Sequence, residues 1–105
     1  MFYASDNAGP VHPKIMEAVI RANEGYAMPY GTDLTSERAK AKLRQVFEAP
    51  EASVNLVATG TAANALILGT LVDPYETVFC SAPAHVHEDE CNAPEFFTGG
   101  AKLTL

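Results

Sequence analysis

Ser53-Val54-Asn55-Leu56-Val57-Ala58-Thr59-Gly60-Thr61-Ala62-Ala63-Asn64-Ala65-Leu66 is the stretch whose reading decides the fold. It reads as a buried strand, a tight turn at Gly60 and a helix that begins at Thr61. A helix start carries free backbone N–H groups and a partial positive charge, so it suits a phosphate. Gly60 lets the backbone approach an anion closely. The Thr61 hydroxyl serves either to cap the helix or to bind an oxyanion. Many strand–Gly–Thr–helix turns bind nothing and only cap their helix. By itself this turn therefore leaves both readings open.

Downstream, the helix is expected from about Thr61 to Leu71, followed by a turn at Asp73-Pro74 and a short buried strand, Thr77-Val78-Phe79-Cys80. Strand, helix and strand within about 28 residues make a βαβ-like unit. That unit predicts an α/β chain with a mixed or parallel sheet and covering helices. Pro94 to Phe97 reads as a short helix, Gly99-Gly100 as a hinge and Lys102 to Leu105 as a further strand. The sequence stops inside that apparent strand. Two or three parallel strands leave edges and a face uncovered, so the chain is expected to be part of a larger protein or to be completed by another chain.

Upstream, Ser5-Asp6-Asn7-Ala8-Gly9-Pro10 is turn-rich. Pro13 suits a first helical turn, Ile15, Val19 and Ala22 share a face with Met16 and Ile20 beside it, and Gly25 is a plausible stop. After a loop from Tyr26 to Asp33, a second helix is expected to be capped around Thr35 or Ser36. Leu43, Val46 and Phe47 would be its buried stripe and Pro50 would end it. Arg38, Lys40, Lys42 and Arg44 read as its solvated face.

A length of 105 residues suits one domain with one modest core, and 48% hydrophobic with 19% charged residues is a globular composition. The net charge of -6 argues against a nucleic-acid surface. No apolar run approaches the roughly 20 residues that span a bilayer, and no signal peptide is visible, so a cytoplasmic protein is expected. Cys80 and Cys91 read as reduced thiols, the first inert, the second disfavoured as a thiolate by neighbouring acids.

His85, His87, Glu88, Asp89, Glu90 and Cys91 form the densest polar cluster. His-x-His with nearby Cys and carboxylates offers zinc ligands, although the spacing matches no defined zinc motif. A second reading is one histidine that packs on a flat ring or moves a proton, oriented by carboxylates. The plain structural reading is an acidic helix N-terminus. Ser5-Asp6-Asn7 either binds a ligand carboxylate or satisfies its own backbone. The Tyr30-Gly31 loop is able to reach across an interface.

Five stretches in order carry a resemblance: Ser5-Asp6-Asn7, Tyr30-Gly31-Thr32-Asp33-Leu34-Thr35, Gly60-Thr61-Ala62-Ala63-Asn64, Ala84-His85-Val86-His87-Glu88-Asp89-Glu90 and Gly99-Gly100-Ala101. Nearly the whole chain resembles the N-terminal third of the threonine aldolases, which are fold-type I, aspartate-aminotransferase-like pyridoxal-phosphate enzymes of the β-eliminating lyase group. The resemblance implies that residues 1–105 are the N-terminal part of a cofactor-binding large domain. It implies that Gly60, Thr61 and Ala62 hold the phosphate of pyridoxal 5'-phosphate, and that His85 stacks on the pyridine ring and assists proton transfer with Glu90 in support. It implies further that Ser5, with Asn7 beside it, contacts the substrate carboxylate. Tyr30 to Asp33 would approach the phosphate of a neighbouring subunit in a homo-oligomer.

The chemistry implied is retro-aldol cleavage of a β-hydroxy-α-amino acid, such as threonine or allo-threonine, to glycine and an aldehyde. No metal is implied. None of Lys14, Lys40, Lys42 and Lys102 matches the family's Schiff-base lysine, so the chain alone is expected to be inactive. The alternatives are a small phosphate- or metal-binding module and a related pyridoxal-phosphate lyase.

Overall fold

The structure, a computed structural model, describes residues 8–105 and divides into two compact units, residues 1–52 and 53–105. Ser5 and Asn7 lie outside the described residues.

The first unit holds two helices, α1 (Pro13–Ala22) and α2 (Leu34–Val46). His12 caps α1, its Nδ1 accepting from the Lys14 N–H at 3.2 Å, and Pro13 opens the helix where its missing N–H costs nothing. Asp33 caps α2, in place of the expected Thr35 or Ser36. Its Oδ1 accepts from the Ser36 N–H at 2.9 Å and its Oδ2 from the Ser36 hydroxyl at 2.6 Å. The Ser36 hydroxyl, then the Ser36 N–H, hold the Asp33 carboxyl below its ordinary value. Asp33 has the extended backbone of a cap, φ -80° and ψ 159°, whereas Thr35 and Ser36 already lie inside the helix.

The C-terminus of α2 closes as a Schellman motif. The Glu48 N–H donates to the Gln45 carbonyl at 3.3 Å and the Ala49 N–H to the Arg44 carbonyl at 3.0 Å. Glu48 takes the left-handed position, φ 52°, so the helix ends before Pro50 is reached. Leu43, Val46 and Phe47 correct another expectation: all three are exposed, with no described element covering the stripe.

The second unit contains α3 (Gly60–Leu71), β1 (Thr77–Phe79), α4 (His85–Glu88), α5 (Ala93–Phe97) and β2 (Lys102–Thr104). The strands β1 and β2 are parallel, with Thr77 opposite Lys102, Val78 opposite Leu103 and Phe79 opposite Thr104. The connection between them runs through α4 and α5, as a parallel pair requires. The α/β expectation is met, with its parallel ladder between the second and third predicted strands. Ser53–Ala58 forms no strand, because among the described residues no neighbour supplies a ladder, and Leu56 is left 58% exposed.

The core lies between α3 and α5, around Ala65, Pro94, Thr98 and Ala101. Gly69 allows the close approach: a Cβ there would stand 3.0 Å from the Phe97 carbonyl oxygen. The Thr98 hydroxyl donates to the Pro94 carbonyl at 2.8 Å and accepts from the Ala101 N–H at 3.1 Å, tying the end of α5 to the start of β2. Gly99, φ 73°, fills the left-handed position of a second Schellman motif, with Gly99 N–H to the Phe96 carbonyl and Gly100 N–H to the Glu95 carbonyl.

Candidate cofactor site

The first turn of α3 has a specific accounting of its N–H groups. Thr59, not Thr61, is the cap: its Oγ1 accepts from the Ala62 N–H at 3.1 Å, and its carbonyl takes the Ala63 N–H. Gly60 and Thr61 are left with N–H groups that meet no partner among the described residues. The Thr61 hydroxyl is also released from capping. Gly60 has open space where a Cβ would stand, with no atom from elsewhere in the described residues within 4 Å. Two adjacent N–H groups and a hydroxyl, unpartnered among the described residues, and a helix start make a donor set for an anion with several oxygens.

Asn64 lies four residues from Gly60 and three from Thr61, hence on the same helix face. Its Nδ2 donates to Glu90 Oε1 at 2.7 Å. The same oxygen is 2.7 Å from His85 Nδ1. The Glu90 side chain is 0% exposed and that of His85 61% exposed. A buried carboxylate therefore anchors an exposed ring, and a helix amide anchors the carboxylate. With an ionised Glu90, Nδ1 is the protonated nitrogen by assignment, and a neutral ring presents Nε2 as an acceptor. Glu90 Oε2 is buried and unpartnered among the described residues.

The backbone after Glu90 is unusual. Cys91 and Asn92 are both left-handed, with φ 49° and 60°. Such residues cost roughly 1–2 kcal/mol each where the side chain is not glycine, and their usual place is a site that over-determines them. The pair turns the chain from α4 into α5 while Glu90 points inward.

Gly60, Thr61, Ala62, His85 and Glu90 thus fall in one unit, and Glu90 and His85 are in direct contact. Tyr30 lies in the other unit, 99% exposed, at a turn in which it and Gly31 have φ 62° and 72°. Lys40 Nζ donates to the Gly31 carbonyl at 3.2 Å and so fixes the turn to α2. The acidic-helix-start reading of residues 85–91 holds for Glu88 alone. The helix α4 has four residues, Glu88 is its last, and Asp89 and Glu90 follow it. Among the described residues no three His, Cys, Asp or Glu side chains converge as metal ligands would. Asn64 was visible as the one amide in an apolar helix, but only the structure shows its partner 26 residues away.

The sequence model of the β-eliminating lyase family matches residues 3–105. The chain belongs to the β-eliminating lyase family. Within it, the low specificity L-threonine aldolase of Pseudomonas aeruginosa is 45% identical over 103 residues, which is 98% of this chain and 30% of that protein. The low specificity L-threonine aldolase of a Pseudomonas species is 44% identical over 101 residues, 96% of this chain and 29% of that one. Among solved structures, a threonine aldolase of Leishmania major matches with a TM-score of 0.78 and 29% identity, covering 90% of this chain and 27% of the other. The fold is therefore the fold-type I α/β fold of this family. The chain spans about 30% of the length of the curated relatives it matches.

Proposed function

We propose that the protein cleaves β-hydroxy-α-amino acids such as threonine and allo-threonine to glycine and an aldehyde with pyridoxal 5'-phosphate, and that residues 1–105 are the N-terminal part of its large domain. Tethering of the His85 ring to the phosphate-type helix start, through Glu90 and Asn64, is the observation that carries this reading. The cofactor, when bound, supplies a sink for the electron pair released as the Cα–Cβ bond breaks. Gly60 and Thr61 donate N–H groups, and Thr61 its hydroxyl, to the phosphate, with Ala62 completing the turn. His85 offers a flat ring face to the pyridine. Its Nε2 takes the proton that the β-hydroxyl loses when the aldol bond opens. Glu90 accepts from Nδ1, keeps Nε2 free and stabilises the ring once it is protonated.

Ser5 and Asn7 are proposed for the substrate carboxylate. The fixed turn at Tyr30 is proposed for the phosphate site of a neighbouring subunit in a cytoplasmic homo-oligomer. The lysine that anchors the cofactor and the acid that pairs with its ring nitrogen are assigned to the protein outside residues 1–105. The test is His85→Ala in the whole protein, followed by aldehyde release and by cofactor titration. Loss of a positioned base should lower turnover about 100-fold, while cofactor affinity changes by less than about threefold. Unchanged turnover would remove His85 from the reaction.

A further inference from the structure

We propose that Asn64 is a positioning residue that sets the proton on the His85 ring through Glu90, an inference that rests on the reading of His85 as the base. Asn64 is costly where it stands. Asparagine is among the poorer helix formers, and the rest of α3 (GTAANALILGTL) is apolar or small apart from two threonines. Its amide does not satisfy its own helix; it reaches Glu90 Oε1 at 2.7 Å across 26 residues of sequence.

The geometry on Glu90 gives that contact its consequence. Oε1 takes both donors, Asn64 Nδ2 and His85 Nδ1, each at 2.7 Å, while Oε2 is buried with no partner among the described residues. An oxygen that accepts two short hydrogen bonds uses both of its lone pairs. Asn64 is neutral, so it fixes the carboxylate without neutralising it, as a lysine or arginine would. The carboxylate cannot turn to offer Oε2 without breaking the Asn64 contact. His85 Nδ1 therefore faces a fixed acceptor and keeps its proton, and the exposed Nε2 keeps its lone pair. Without Asn64, Glu90 gains freedom to rotate, and the ring gains access to the tautomer with the proton on Nε2, in which it is no base. Because Asn64 and Thr61 share a helix face, the amide also ties the ring to the turn that carries the free N–H groups.

The experiment compares Asn64→Ala and Asn64→Asp with the unaltered whole protein. Alanine is the better helix former and removes the donor; aspartate keeps the shape and replaces the donor by an acceptor. The first readout is 15N NMR of ring-labelled histidine, with the His85 signal assigned by its loss in His85→Gln. Losing one hydrogen bond should shift the tautomer ratio about fivefold toward the Nε2–H form in Asn64→Ala, and further in Asn64→Asp. The second readout is kinetic: kcat falls about fivefold while KM and cofactor affinity stay within about twofold. A residue that merely held α3 to the loop would lower thermal stability in both variants, leave the tautomer unchanged and spread its effect over KM and kcat alike. That result overturns the inference. A tautomer shift without any change in kcat would leave the positioning role standing and refute instead the reading of His85 as the base.

Discussion

Glu90→Gln isolates the charge of the buried carboxylate. The substitution keeps the side chain's length and leaves an oxygen able to accept from both Asn64 Nδ2 and His85 Nδ1, now at 2.7 Å each. What it removes is the charge assistance. A hydrogen bond to a charged group is worth about 1.5–3 kcal/mol and a neutral one about 0.5–1.5 kcal/mol. The His85 ring is 61% exposed, so solvent screens the pair and the lower end of the difference, about 1 kcal/mol, applies. Protonation of the ring then loses about fivefold in support, and turnover should fall by about that factor. Folding responds differently. The new amide nitrogen would occupy the buried, unpartnered Oε2 position, costing about 1–3 kcal/mol, whereas removal of a buried charge offsets much of it. The assay pairs steady-state aldehyde release with thermal unfolding of the same preparation. Turnover within twofold of the unaltered protein, in a variant that is fully folded, would refute the charge argument.

Thr61→Ala removes the proposed phosphate ligand without removing the helix cap, which is Thr59, and should weaken cofactor retention about fivefold with little change in thermal unfolding. Glu48→Gly puts glycine where Gly99 stands in the second Schellman motif, and should stabilise the protein by roughly 0.5–1 kcal/mol in a denaturant titration. Gly69→Ala opposes two effects: helix propensity favours it by about 1 kcal/mol, but overpacking costs about 1–3 kcal/mol. Since the added Cβ meets backbone at 3.0 Å, net destabilisation is expected in the same titration. The Asp33 carboxyl is held below its ordinary value by the Ser36 hydroxyl and N–H, so its contribution to α2 is complete above the unfolded value and is lost as pH falls through the folded one. Amide exchange at the start of α2 should accelerate on acidification through that window, and Asp33→Asn should flatten the response.

The helices were legible because their signals are local. Pro13, Gly25 and the apolar spacing around Ile15 and Val19 mark α1, and α3 begins within a residue of its expected start. The parallel pairing was legible as a class, since a βαβ rhythm leaves few other arrangements. What failed depended on partners. Ser53–Ala58 has strand composition but no ladder among the described residues. Leu43, Val46 and Phe47 have core composition but no described element over them. The caps fall at Asp33 and Thr59, two to three residues before the expected positions, because several neighbouring polar side chains compete and geometry chooses among them. The polar cluster from His85 to Cys91 stands out in the sequence, and the resemblance picks His85 and Glu90 from it. Their contact, the burial of one beside the exposure of the other, and the third member Asn64 are tertiary facts.

A crystal structure of the whole protein with pyridoxal 5'-phosphate tests the cofactor site at the start of α3 most directly. The phosphate is expected within hydrogen-bonding distance of the Gly60 and Thr61 N–H groups, and the His85 ring against the pyridine with Nδ1 still on Glu90. A phosphate seated elsewhere, with the start of α3 left to solvent, would contradict that placement.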